Sequence, residues 1–300
     1  MKAHVVSKAA RLRQLLATKT VAIPGVFNAL TALQVERAGY EACYVSGAAL
    51  SATRGLPDIG LLSLDEVAAE AGRIAGAVPI PTIVDADTGF GPPSEIPTAV
   101  RAFEQAGLAG IQIEDQQVPK KCGHLPGKEV VPAAEMVAKI RAAVEARSDP
   151  DFILVARTDA RSVEGMHAAI QRACAYAEAG ADALFPEALE SEEEFDRFAR
   201  EIAGAGLHVP LIANMTEFGK SPYLDVARFE RLGYRGVLFP VTLLRVALRA
   251  IEQLLAEMRK AGSQRDSLQS MMTRAELYEL LRYEQNGRSH EQDGERTAFK

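Results

Sequence analysis

Three segments of the 300-residue chain gather side chains suited to chemistry rather than packing. In DADTGFG, residues 85–91, Asp85 and Asp87 lie two positions apart, so an extended strand would project both carboxylates to one face. Two carboxylates held close repel each other unless a cation relieves them, and hard oxygen donors suit Mg2+ or Mn2+ better than zinc. In PKKCGHLPGK, residues 119–128, two lysines precede Cys122, His124 follows it, and glycine and proline mark a loop. Neighbouring cations favour a thiolate, so Cys122 is expected to be reactive, and the absence of a C-x-x-C spacing argues against zinc. Arg157 in ARTD, with Arg245 and Arg274 further on, supplies planar forks that match carboxylates. Cys43 and Cys174 sit among apolar or alanine-rich neighbours, and three widely spaced cysteines predict no disulfide framework. Outside the loop, His4, His167, His208 and His290 form no metal-ligand pattern.

Positioning these groups requires a scaffold, and its elements are readable. Short β-rich runs occur at 21–27, 41–47, 80–87, 109–115, 152–159, 181–187, 209–215 and 235–240, with helical stretches between them. Helix starts are marked by Ser63 with Glu66, by Ser191 with Glu194, and by Pro132 in a first turn. Gly39, Gly107, Gly180 and Gly233 suit left-handed helix ends. Within 133–147, Val137, Ile140 and Val144 share a stripe while Lys139, Arg141 and Glu145 are expected to point elsewhere. Eight strand–helix alternations with apolar strands predict an α/β fold, a (β/α)8 TIM barrel, ahead of an open doubly wound sheet. No G-x-G-x-x-G follows the first strand, which disfavours a dinucleotide site. Helical pattern at 241–260 and around 274–284 adds C-terminal helices to the barrel. The reading is one domain over 1–284, followed by a polar, mobile tail at 285–300.

A barrel builds its active site at the C-terminal ends of its strands. Those ends carry Tyr44, Ser46 and Gly47, then Asp85 and Asp87, Glu114 and Asp115, Arg157 and Asp159, Glu187, Asn214 and Thr216, Pro240 and Thr242. Glu114 and Asp115 are adjacent and must face opposite ways, so at most one enters the barrel mouth. The acidic run at 190–196 reads as a solvated helix start. Hydrophobic residues make up 48% and charged residues 25%, a composition that excludes disorder and leaves a large core. A net charge of −6 offers no excess of cations for a phosphate backbone, so nucleic acid is not an expected partner. No apolar run is long enough to span a membrane and no leader pattern opens the chain, so no membrane association and a cytoplasmic location are expected.

Six of these segments together resemble one family: KKCGH at 120–124, DADTGFG at 85–91, IEDQ at 113–116, ARTDA at 156–160, LFPEA at 184–188 and NMTEFG at 214–219. They look like the isocitrate lyase and phosphoenolpyruvate mutase superfamily, from about residue 10 to TRAELYE at 273–279. The cysteine loop places the resemblance on the lyase side, because the mutases and decarboxylases lack it. The resemblance implies a barrel whose last helix is exchanged between subunits of a homotetramer, with Mg2+ at Asp85 and Asp87 and with Asp58 and Glu114 acting through water. It implies a small di- or tricarboxylate substrate held by Ser46, Gly47, Ala48, Gly123, His124, Glu187, Asn214, Thr216, Arg245 and Arg274, against a wall of Phe185, Leu238 and Pro240. The implied reaction is a retro-aldol cleavage of 2-methylisocitrate to pyruvate and succinate, a step of propionate catabolism. Tyr44 would be the base, Arg157 the stabiliser of the developing charge, and Cys122 the proton donor. Isocitrate, 2,3-dimethylmalate and oxaloacetate are the alternative substrates; isocitrate enzymes usually carry tryptophan where Phe185 stands, and this chain has none. A catalytically silent scaffold would have lost some of these residues, and none is lost.

Overall fold

The computed structural model describes residues 6–283, so the tail read at 285–300 lies outside the described residues. Each expected β-rich run contains one strand: β1 (Val21–Val26), β2 (Cys43–Val45), β3 (Thr82–Asp85), β4 (Gly110–Glu114), β5 (Ile153–Thr158), β6 (Ala183–Pro186), β7 (Ile212–Asn214) and β8 (Gly236–Phe239). Every pairing is parallel, in the order β6-β5-β4-β3-β2-β1-β8-β7. A further parallel bridge between Leu184 and Leu211 brings the two edges together, so the sheet is a nearly closed (β/α)8 barrel. At one point the barrel wall admits only glycine, since a Cβ on Gly25 would lie 1.9 Å from the Pro240 carbonyl oxygen.

The period of two along each strand sorts side chains into two cores. Ile23, Tyr44, Ile83, Val155, Phe185, Ile212 and Leu238 belong to the inner cluster, together with Leu12, Leu15 and Leu16 of α1 (Lys8–Thr18). Burying each of those leucines contributes roughly 1.5–3 kcal/mol. Val45, Val84, Ile111, Ile113, Leu154 and Val237 face outward onto residues such as Ile74 of α4 (Leu64–Ala77), Phe103 of α5 (Ile96–Gln105) and Ile140 of α6 (Ala133–Ala146). The remaining helices of the first unit are α2 (Ala29–Arg37), α3 (Gly47–Thr53), α7 (Met166–Glu178), α8 (Glu192–Gly204) and α9 (Val226–Arg231).

Local signals held with three exceptions. Ser63 and Glu66 form the expected capping box, and Gly39, Gly107, Gly180 and Gly233 all have positive φ. Ser191 caps α8 alone, because the Glu194 carboxylate turns instead to Arg161 and the Glu190 amide. Pro132 stands at the N-cap of α6, one place before the first turn. Lys139, expected on the polar side of α6, is 4% exposed and donates to the Thr88 carbonyl at 2.9 Å. Its stem packs inward and only its ammonium needed a partner.

Contacts divide the chain into two units, Met1–Arg249 and Ala250–Lys300. The boundary falls inside α10 (Thr242–Ala261), on which Val246, Leu248, Ile251 and Leu255 are 64, 54, 53 and 60% exposed. The second unit continues with a 3-10 turn at Arg265–Ser270 and with α11 (Arg274–Leu280), opened by a Thr273–Glu276 capping box. Among the described residues no helix is long and apolar enough to cross a membrane.

Candidate active site

The C-terminal ends of the strands surround a cavity of about 100 Å3, small beside the several hundred Å3 of a site for a drug-sized ligand. Inward-facing positions supply its walls: Tyr44 lies in β2 and Ser46 just after it, Asp85 ends β3, Glu114 ends β4, and Arg157 comes from β5. Phe185 and Glu187 come from β6, Asn214 and Thr216 from β7, Leu238 and Pro240 from β8, with Ala48 on α3, Asp58 and Arg245 beside them. The loop after β4 closes the cavity with Cys122, Gly123 and His124. Residues scattered over 200 positions of sequence therefore meet at one end of the barrel.

Asp85 and Asp87 do converge, but by a different route from the one their spacing suggests. β3 ends at Asp85, and Asp87 sits in a left-handed turn at φ 48 whose amide donates to Asp85 Oδ1 at 3.1 Å. A Cβ on Gly47 would lie 3.2 Å from both Asp85 Oδ2 and Asp87 Oδ1, so the two carboxylates come together against the start of α3, and a larger residue there would press on both. Burial, and then Asp85, push the Asp87 carboxyl up to about 6. Glu114 is raised well above the ordinary carboxylate range by burial, despite Arg157, and its Oε1 is buried without a hydrogen-bond partner. Lys120 is the positive charge between them: it pairs with Asp58 and stands 2.6 Å from Asp87. Burial would lower the Lys120 ammonium, but Asp85, Asp87, Glu114 and Asp58 hold it well above its usual value.

Arg157 is the centre of a second cluster. Its Nε and Nη2 donate to Asp159 at 2.9 and 3.1 Å, its Nη1 is 3.2 Å from Glu114, its Nε is 3.4 Å from Glu187, and it lies 5.4 Å from the Phe185 ring centroid. Burial disfavours the Glu187 carboxylate, yet Arg157, His124 and Lys128 outweigh it and hold the group down at about 2. Five buried or mostly buried carboxylates, Asp85, Asp87, Glu114, Asp159 and Glu187, stand against the fixed cations Lys120, Arg157 and Lys128. That imbalance and the orphaned Glu114 oxygen fit a hard divalent cation. Among the described residues no group of three or more His, Cys, Asp or Glu side chains forms a complete ligand set. Mg2+ does not need one, since it commonly takes one or two carboxylates and completes its shell with water.

The loop is pinned from several sides. His124 Nδ1 accepts the Lys220 amide at 3.0 Å, and its Nε2 makes a close, poorly aligned contact with Glu187 Oε1 at 2.7 Å. Gly123 presses on Arg157 and Glu187: a Cβ there would lie 2.4 and 2.5 Å from them. The two lysines expected to act on the Cys122 thiol are engaged elsewhere, Lys120 with Asp58 and Asp87 and Lys121 with the Gly127 carbonyl at 2.5 Å. Cys122 is half-buried, whereas Cys43 is wholly buried, with its thiol pushed up to about 11 by burial.

Two expected site residues of the first unit do not line the cavity: Gly47 donates its amide to Asp85 at 3.3 Å, and Asp87 is engaged by Lys120 at 2.6 Å. Arg274 opens α11 in the second unit. Asp115 turns outward to Thr158, Tyr176 and Arg172, as its alternation with Glu114 requires. Tyr44 lines the cavity but donates its hydroxyl to Gln112 at 2.7 Å, and burial, then Asp85, raise it well above the ordinary phenol range. The sequence marked Lys120 only as a neighbour of Cys122, and it passed over Lys128 in the same loop, Gln112, which accepts the Tyr44 hydroxyl, and Glu217, which meets Thr242 and Arg245. A lysine in a loop of glycine and proline reads by default as solvated.

Comparison with known proteins places relatives around this geometry. A family model described as phosphoenolpyruvate phosphomutase matches residues 12–259. A 2-methylisocitrate lyase of Aeropyrum pernix is 50% identical over 91% of this chain and 86% of its own. A 2-methylisocitrate lyase of Bacillus subtilis is 48% identical over 92% and 89%. Among solved structures, a 2,3-dimethylmalate lyase described as a PEP mutase/isocitrate lyase superfamily member superposes with TM-score 0.86 at 33% identity, covering 92% of both chains. A phosphonopyruvate hydrolase solved in complex with oxalate and Mg2+ gives TM-score 0.83 at 32% identity, covering 91% of this chain and 94% of its own.

Proposed function

The chain belongs to the isocitrate lyase and phosphoenolpyruvate mutase superfamily, and from that membership we propose that it is a carbon–carbon lyase that cleaves 2-methylisocitrate to pyruvate and succinate. The observation that carries this reading is the meeting, in one small cavity, of the Cys122 loop with Arg157 and an acidic cluster short of positive charge. Asp85 and Asp87 would hold Mg2+, with Asp58 and Glu114 reaching it through water; Mn2+ has the same donor preference. A divalent cation in that place would bind the substrate's hydroxyl and carboxylate oxygens, make the hydroxyl a stronger acid, and offset the carboxylate charge that opposes ionisation of Tyr44.

The remaining work falls to the chain's own groups. Ser46 and Ala48 bind one substrate carboxylate, and Asn214, Thr216 and Arg245 the others, while the Gly47 amide holds Asp85. Glu187 and His124 fix the position of Arg157 and the loop. Tyr44 would act as the tyrosinate, its own proton having passed to solvent with the carboxylate charge beside it offset; it takes the hydroxyl proton, the bond between the hydroxyl-bearing carbon and its neighbour breaks, and Arg157 stabilises the charge that develops on the departing fragment. Cys122 then donates its thiol proton to that carbon, giving succinate while the closed loop excludes water; after product release the thiolate regains a proton from solvent and Tyr44 gives one up.

Phe185, Leu238 and Pro240 form the wall for the substrate's methyl group, and all three line the cavity. Burying one methyl is worth about 1–3 kcal/mol, roughly 10- to 200-fold. 2-Methylisocitrate is therefore expected to show a higher kcat/KM than isocitrate, and Phe185→Trp to shrink that ratio by filling the space. Equal or reversed efficiency in the wild type would remove the substrate assignment and leave the reaction type.

Assembly is proposed as a homotetramer in which α10 or its continuation is exchanged between subunits. The exposed apolar side chains Leu248, Ile251 and Leu255, three and four residues apart on one face of α10, support this, since an uncovered stripe of that kind marks an interaction surface. Light scattering should give a tetramer that persists on dilution, and a monodisperse active monomer would contradict it. The proposed setting is the cytoplasm, with no nucleic-acid or membrane partner.

A further inference from the structure

We propose that Lys128 is the positioning residue that holds the Cys122 loop down on Arg157, a role that rests on the reading of that loop given above. Its side chain is 2% exposed, although it ends a loop rich in glycine and proline. Its ammonium donates to the Gly123 carbonyl and to Asp159 Oδ1, the latter at 2.7 Å. Gly123 is the residue whose backbone lies against Arg157 and Glu187, so the bond grips the loop at its point of contact with the site.

The other end of the latch cannot follow the loop. Asp159 is wholly buried, its carboxylate receives two donors from Arg157, and its amide is held by Asp115 Oδ1 at 2.8 Å. Asp115 is itself fixed by Thr158 and Tyr176, each at 2.8 Å. The base of the loop is tied by the Gln116–Val130 bridge and by the Gln117 amide on the Glu129 carbonyl. Lys128 therefore links a fixed base to a tip that must meet substrate, and one ammonium serves both the loop carbonyl and the carboxylate that orients Arg157. The sequence alone gives no reason to bury this lysine. The paired contacts supply one.

Lys128→Met keeps the apolar stem and removes the ammonium. In the folded variant, iodoacetamide should modify Cys122 at least about tenfold faster than in the wild type, read by peptide mass spectrometry with Cys43 as the buried reference. kcat should fall about 100-fold with KM within roughly threefold, because a displaced proton donor costs chemistry more than binding. A merely structural role would lower thermal stability and leave Cys122 modification unchanged, so a rate within about twofold of wild type in a folded variant overturns the proposal. Should Lys128→Met fail to fold, Lys128→Gln, which is uncharged and one atom too short to bridge Gly123 and Asp159, is read the same way. Alkylation does not depend on turnover: a faster rate in an enzyme that fails to cleave 2-methylisocitrate would keep the latch and discard the substrate reading.

Discussion

Cys122→Ala is expected to lower kcat by about three orders of magnitude or more, within the range that a positioned general acid contributes, while leaving the fold intact. The thiol is half-buried on a loop and belongs to neither hydrophobic cluster, so its loss removes little packing. Cys43 is the contrast. It is wholly buried on β2 beside the Thr82 hydroxyl at 3.4 Å, and Cys43→Ala should lower the thermal midpoint with modest effect on turnover. The pair separates chemistry from packing with the same substitution. Steady-state kinetics and thermal unfolding on both variants decide the matter, and near wild-type turnover in Cys122→Ala would make the residue structural and favour a decarboxylase-like reaction.

The second large effect concerns the acidic cluster. Asp87→Ala, or exhaustive chelation of the wild type with metal content verified, should cost about three orders of magnitude, the equivalent of several kcal/mol of lost charge stabilisation. The effect on stability should be far smaller than the effect on turnover. Losing Asp87 relieves its repulsion with Asp85, but it also removes one partner of the buried Lys120 ammonium and leaves alanine at a left-handed φ of 48. Added Mg2+ should raise the thermal midpoint of the wild type and leave that of Asp87→Ala almost unmoved, since only a folded state that binds the ion is stabilised by it. Full activity in a verified metal-free protein would sink the metal assignment.

How far the sequence reaches is best seen at individual residues. The strand ends were legible from eight parallel strands and a period of two, but the period alone left Glu114 and Asp115 as alternatives; the structure puts Glu114 in the cavity and turns Asp115 out to Thr158. Asp85 and Asp87 were paired correctly for an incomplete reason: their convergence comes from a left-handed turn at Asp87, which strand geometry does not encode. Lys120, Lys128 and Lys139 were misread or passed over for one shared reason. A lysine is buried only when a distant carboxylate or carbonyl meets its ammonium, and Asp87, Asp159 and Thr88 lie 33, 31 and 51 positions away. The hydroxyl direction of Tyr44 depends likewise on Gln112, 68 positions away. Periodicity sees the element that carries a residue, while the partner belongs to the closed barrel.

The most direct test of the account is product analysis in D2O. The metal-loaded enzyme is incubated with 2-methylisocitrate, and the products are quantified and their isotopic composition read by NMR. Retro-aldol cleavage with protonation at carbon predicts pyruvate and succinate in equal amounts, with one deuterium on the succinate carbon released by the broken bond. Release of CO2 without succinate, or no consumption of 2-methylisocitrate by enzyme that contains its metal, would contradict it.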